Sequence, residues 1–121
     1  MIPYSRQWID KEDIQEVVKV LRSSFLTQGP KVAEFEKAIA VYCGARYAVA
    51  FSSGTAALHA AYYAAGIGHG SEVITSPLTF AATSNMILAS GALPVFADID
   101  HTTGILDPKD VEKKITKAIT E

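Results

Sequence analysis

Apolar positions recur at helical spacing in the first third of the chain and fall into short runs afterwards. Ile14, Val17, Val18 and Leu21 share one side of a helix. The spacing predicts a helix opened by Asp10 as N-cap, with Asp13 in a capping-box position three residues on, fading at Ser23 and Ser24. Its four apolar residues are expected to be buried. Residues 25–30 read as a loop punctuated by Gly29 and Pro30. A second helix starts near Pro30, carries Val32, Phe35, Ile39, Val41 and Tyr42, and stops at Gly44.

Beyond residue 45 the pattern changes. Ala48-Val49-Ala50-Phe51 reads as a short buried strand. Residues 56–65 form a helix that is apolar on almost every side and ends at Gly66. Gly68-His69-Gly70 is a turn, Glu72-Val73-Ile74-Thr75 a strand, 80–90 a helix stopped by Gly91, and Pro94-Val95-Phe96-Ala97 another strand. Asp107-Pro108 opens a helix through Val111, Ile115 and Ala118, and Lys117-Ala118-Ile119-Thr120 reads as the approach to a further strand. Strands alternating with helices predict an α/β fold, a mostly parallel sheet flanked by helices on both faces. The helical segment 1–45 and the alternating segment 46–121 are read as parts of one domain, and a sheet that stops at the lip of its next strand reads as a truncated protein. No internal repeat or low-complexity tract is present.

The strand-to-helix junction at Ser52-Ser53-Gly54-Thr55 carries the first candidate chemistry. The opening N–H groups of a helix have no partner within it, and the helix dipole adds positive potential there. Such a turn suits a phosphate. Its plainer reading is an ordinary Ser or Thr cap with Gly relieving a tight turn. It is neither a P-loop, which ends in Gly-Lys-Ser/Thr, nor a G-x-G-x-x-G fingerprint, which argues against nucleoside-triphosphate hydrolysis and against NAD. About 25 residues on, Thr75-Ser76-Pro77-Leu78-Thr79-Phe80 repeats the junction with an aromatic. Phe80 is either a core residue at a helix start or a flat face for a ring-shaped ligand. A phosphate cradle followed by an aromatic points to a phosphorylated ring cofactor.

Composition narrows the field. Of 121 residues 49% are apolar, enough for a core, and the net charge of −2 leaves no basic footprint for nucleic acid. The single cysteine, Cys43, forms no internal disulfide and reads as a small core residue in a reducing compartment. There is no signal-peptide pattern and no membrane-length apolar run, so a cytoplasmic protein is expected. His59 reads as packed or partly exposed, and His69 and His101 as solvated turn residues. No His/Cys/Asp spacing resembles a metal site. Asp98 and Asp100 are read as loop or capping carboxylates, with acid/base work as the alternative.

Taken together, the ordered motifs Ile2-Pro3-Tyr4-Ser5, Leu26-Thr27-Gln28-Gly29-Pro30, Phe35-Glu36, Phe51-Ser52-Ser53-Gly54-Thr55-Ala56-Ala57-Leu58, Val73-Ile74-Thr75-Ser76-Pro77, Thr79-Phe80-Ala81-Ala82-Thr83-Ser84-Asn85 and Pro94-Val95-Phe96-Ala97-Asp98-Ile99-Asp100 resemble the DegT/DnrJ family of pyridoxal-phosphate-dependent sugar aminotransferases. The resemblance covers essentially the whole chain. It implies the N-terminal part of the large domain of a fold type I aminotransferase. It implies pyridoxal 5'-phosphate as cofactor, held by Ser53, Gly54 and Thr55 at its phosphate and by Phe80 against its ring. Tyr4, Ser24, Phe25, Leu26 and Thr27 would line the substrate site.

The implied reaction moves an amino group from glutamate to a 4-keto UDP-sugar, in nucleotide-sugar biosynthesis of the pseudaminic acid type, in a homodimer. The family's Schiff-base lysine and the carboxylate facing the pyridine nitrogen have no counterpart in these residues, so the resemblance implies no catalytic residue here and an inactive chain on its own. Relatives that carry histidine in place of that lysine are dehydratases, a second reading. A short non-catalytic binder of a phosphorylated ligand is a third.

Overall fold

A computed structural model describes residues 2, 3 and 5–115. The chain divides into two compact units, Met1–Ala50 and Phe51–Glu121.

The first unit holds α1 (Lys11–Leu21) and α2 (Pro30–Cys43). α1 starts where local chemistry dictates. The Asp10 carboxylate accepts the N–H groups of Glu12 and Asp13 at 2.8 and 3.0 Å, and the Asp13 carboxylate accepts the Asp10 N–H at 3.0 Å. This is the expected capping box, and its N-cap is worth about 1 kcal/mol. α2 opens with Pro30 after an uncapped Gly29 and closes at Gly44, whose φ of 64° is left-handed. There the Ala45 N–H reaches back to the Ala40 carbonyl at 2.9 Å.

Three expectations fail in this unit. Ile14, Val17 and Leu21 are more than half exposed, because among the described residues no element of the unit packs closely along that stripe of α1. Cys43 is exposed on the last turn of α2 rather than in a core. Residues 48–51 form no strand. A strand needs a ladder partner, and no described strand pairs with this segment. The Ala50 N–H instead donates to the Glu36 carboxylate at 2.9 Å.

The second unit holds α3 (Gly54–Ala64), β1 (Glu72–Thr75), α4 (Ala82–Ala89), β2 (Leu93–Phe96) and α5 (Pro108–Lys114). β1 and β2 pair in parallel, Glu72 opposite Leu93 and Thr75 opposite Phe96. Bonds from Leu93 N to Ser71 O at 2.9 Å and from Ala97 N to Thr75 O at 3.0 Å extend the ladder at both ends. Parallel neighbours need a crossover, and α4 provides it, packing on both strands and on α3. Ile87 of α4 and Ala97 have no exposed surface, and Ala92 is nearly as buried. Burying an isoleucine side chain stabilises by roughly 1.5–3 kcal/mol, so Ile87 anchors this layer.

α4 begins at Ala82, two residues after the expected start, which leaves Phe80 in the preceding loop. α5 is capped by the Asp107 carboxylate, which accepts the Lys109 N–H at 2.9 Å, and ends at Lys114 with Ile115 already extended. The helical continuation expected through Ala118 and the strand approach at Lys117-Ala118-Ile119-Thr120 lie outside the described residues.

Candidate functional site

The first turn of α3 is built as an open donor site. Ser53 sits in extended backbone (φ −160°), and its Oγ accepts the Ala56 N–H at 3.2 Å. Its carbonyl accepts the Ala57 N–H at 3.1 Å. The N–H groups of Gly54 and Thr55 precede the helical ladder and find no acceptor among the described residues. Ser53, Gly54 and Thr55 are all exposed. A Cβ placed on Gly54 would meet no heavy atom within 4 Å outside its chain neighbours and its own helix backbone.

Phe80 belongs to the same unit. The loop that presents it is held by Ser76 Oγ, which accepts the Leu78 N–H at 3.0 Å, and by the Phe80 carbonyl, which accepts the Thr83 N–H at 3.0 Å. The Thr79 and Thr83 hydroxyls meet at 3.2 Å. Phe80 is 81% exposed, so it is not the core residue that a helix start would have made it. The Tyr62 hydroxyl donates to the Thr83 carbonyl at 3.3 Å and ties α3 to the helix that follows Phe80. Nothing in the sequence marks Tyr62 for this role.

The second predicted group lies in the first unit. Ser24, Phe25, Leu26 and Thr27 form the connection between α1 and α2, beside a cavity of about 140 Å³ lined by Lys19, Val20, Ser23, Phe25, Leu26 and Lys31. Phe25 and Leu26 are 63% and 64% exposed. Gln28, next in the loop, has φ 52°, the one left-handed non-glycine backbone among the described residues. Tyr4 lies outside the described residues.

The remaining candidates resolve into structural roles. Asp100 accepts the N–H groups of Thr102 and Thr103, both at 2.9 Å, and the Thr103 hydroxyl at 3.1 Å. The Thr103 amide, then the Thr102 amide, hold its carboxyl below the usual range. Asp98 bonds to its neighbour's N–H, and its own N–H donates to Asp110 at 2.9 Å. Both carboxylates thus serve the turn closed by the Ile99–Leu106 bridge. His59, His69 and His101 are exposed. No cluster of potential metal ligands occurs among the described residues, and no helix there is long and apolar enough to cross a membrane.

Residues 7–120 match the profile of the DegT/DnrJ/EryC1/StrS aminotransferase family. The chain is 55% identical over 115 residues to the spore coat polysaccharide biosynthesis protein SpsC of Bacillus subtilis (strain 168), covering 95% of this chain and 30% of SpsC. It is 45% identical over 116 residues to the UDP-4-amino-4-deoxy-L-arabinose–oxoglutarate aminotransferase of Shewanella sediminis (strain HAW-EB3), covering 96% of this chain and 30% of that one. Among solved structures it is similar to Spr1654 of Streptococcus pneumoniae in its PLP form, with TM-score 0.91, 36% identity, and coverage of 98% and 30% of the two chains. The chain thus spans about a third of the length of the proteins it matches, and its fold is the fold type I aminotransferase α/β fold.

Proposed function

The chain belongs to the DegT/DnrJ/EryC1/StrS aminotransferase family, and on that premise we propose that it builds the phosphate-holding side of a pyridoxal 5'-phosphate site. The reaction is the amination of a 4-keto UDP-sugar with glutamate as donor. The observation that carries this reading is the first turn of α3, where the Gly54 and Thr55 N–H groups have no acceptor among the described residues. The turn fits a phosphate because a dianion takes the N–H groups of Gly54 and Thr55 and gains from the helix dipole. The absence of a side chain at Gly54 leaves room for it. Ser53 shapes the turn by capping Ala56, and Phe80 offers an uncommitted flat face to a heteroaromatic ring.

When bound, pyridoxal phosphate supplies the electron sink that lets an amino group leave glutamate and enter a sugar ketone. This chain's contribution is to bind and orient. The α3 turn fixes the phosphate end, and Phe80 holds one face of the ring. Ser24, Phe25, Leu26 and Thr27, with Tyr4, bind the nucleotide sugar. The chain matches about 30% of the length of its relatives, and in this reading it is the N-terminal part of the large domain of a cytoplasmic enzyme that works as a homodimer. The finer reading, a substrate of the pseudaminic acid type, rests on resemblance to one kind of family member and not on any single motif.

The test uses the complete gene product. Purified enzyme is supplied with pyridoxal phosphate, glutamate and a panel of 4-keto UDP-sugars, and products are read by mass. An aminated sugar with stoichiometric 2-oxoglutarate supports the proposal. Loss of water from the sugar without amination replaces it with the dehydratase. Gly54→Val isolates the cradle. A Cβ at this position meets nothing within 4 Å outside its own helix, so the melting temperature is expected to change little, while cofactor binding is expected to weaken by about tenfold or more as the added side chain crowds the phosphate. Equal cofactor affinity in Gly54→Val refutes the cradle.

A further inference from the structure

The loop between α1 and α2 is more tightly built than its exposed side chains suggest. Ser23 sits at its entry. The Ser23 hydroxyl lies 2.8 Å from the Val20 carbonyl and 3.0 Å from the Phe25 carbonyl, so its one hydrogen serves one or the other. The same oxygen accepts the Phe25 N–H at 3.4 Å. With Ser23 N bonded to Val20 O at 2.9 Å, the chain is folded back over the end of α1. At the exit, a Cβ on Gly29 would lie 3.0 Å from Phe25 Cβ and 3.4 Å from the Phe25 carbonyl oxygen. These are stem and backbone atoms, not the far end of a flexible side chain, so a Cβ there would force the two ends of the loop apart by a few tenths of an ångström. Between them Gln28 holds φ 52°, a conformation that costs an L-residue and persists only where its surroundings impose it. Entry, exit and strain act on the same four residues, 24–27.

We infer that Ser23, Gln28 and Gly29 are positioning residues that hold the Ser24–Thr27 segment in its nucleotide-sugar-binding shape before the substrate arrives. The inference rests on the proposed function and adds residues to it. A preformed loop spares the ligand the cost of ordering it, so its effect falls on sugar-nucleotide affinity. None of the three residues needs to touch the substrate. Phe25 and Leu26, presented to solvent on a fixed loop, supply the apolar surface that a nucleobase or sugar face covers.

The experiment uses the complete enzyme and three variants. Gly29→Ala drives its Cβ against Phe25. Gln28→Val disfavours the left-handed backbone, and Gln28→Gly permits it without a side chain. The expected result is a KM for the sugar nucleotide about tenfold higher in Gly29→Ala and Gln28→Val, a shift equivalent to the strain each introduces. Gln28→Gly keeps the wild-type KM. The rate of amino transfer from glutamate to the cofactor, measured without sugar, stays at the wild-type value in all three, because that half-reaction does not use the loop. Calorimetric titration with UDP alone separates this inference from the reading beneath it. A wild type that binds UDP but aminates no sugar overturns the reaction and leaves the loop standing. Equal UDP affinity in wild type, Gly29→Ala and Gln28→Val overturns the loop inference, as does a wild type that does not bind UDP.

Discussion

α1 and α4 are two helices with opposite investments. α1 has a complete reciprocal capping box, acidic residues in its first turn, Lys19 in its last, and no buried residue. α4 follows an N-cap, Ala81, whose side chain makes no capping hydrogen bond, and has no first-turn acid, yet it carries the fully buried Ile87 and packs on β1, β2 and α3. Caps decide where a helix begins and ends. Packing decides whether it contributes to a core, and the two are independent. An apolar stripe of helical period, as in α1, is a demand for a partner and not a guarantee of one.

Truncating one apolar residue on each helix separates the two contributions most strongly. Ile87→Ala is expected to destabilise the second unit by about 2–5 kcal/mol, the range for emptying a packed core site. Ile14→Ala, at a position 55% exposed, is expected to stay within about 0.5 kcal/mol. Chemical denaturation of the chain followed by hydrogen exchange at single amides reads both. Comparable losses from the two substitutions would mean that the stripe of α1 is buried in solution.

The next effects are local. Gly44→Ala places a Cβ in the left-handed cap of α2 and is expected to cost about 1–2 kcal/mol, although the new atom meets nothing within 4 Å. The cost is therefore conformational, and Gly44→Asn recovers part of it. Asp10→Ala removes two bonds to the α1 amides and is expected to cost about 1 kcal/mol, read as faster exchange at Glu12 and Asp13. If Asp10→Ala leaves exchange unchanged, the first turn of α1 is held by something other than its cap.

The same division explains what could be read from sequence. Local signals were legible because their causes are a few residues long. The Asp10–Asp13 box, the Gly44 stop, β1 at Glu72–Thr75 and the Asp107 cap all appear where their residue types require. The first turn of α3 was legible for the same reason, since its donors are backbone groups. What failed depends on neighbours. Among the described residues the strand expected at 48–51 has no partner, the apolar face of α1 is exposed, and Cys43 lies on an exposed turn. Phe80 falls between these cases. Its place before a helix was readable, but its exposure follows from α4 starting two residues later than the apolar pattern suggests. Tyr62 and Gln28 carried no signal, because a hydroxyl aimed at Thr83 and a left-handed glutamine are products of the folded chain.

The smallest expected effects distinguish the two units by the origin of their electrostatics. In the first unit the Glu16 carboxyl is lowered by its hydrogen bond to Lys19, by the Lys19 charge and, more weakly, by Lys31. In the second, Asp100 is lowered by the amides of Thr103 and Thr102. Asp110 is lowered first by the amide of Asp98, with Lys114 and Lys113 adding less. In each case the folded value lies below the unfolded one, so the stabilisation is complete above the ordinary carboxylate range and is lost as pH falls through the depressed value. Salt separates the causes. At 1 M ionic strength the screening length is about 3 Å, short enough to weaken exposed side-chain ion pairs but not a hydrogen bond from a fixed amide. Carboxyl titration by NMR should therefore show Glu16 returning toward its ordinary value in high salt, Asp110 moving less, and Asp100 least. An Asp100 that moves as far as Glu16 would mean that distant charge, and not the turn it closes, holds its proton off.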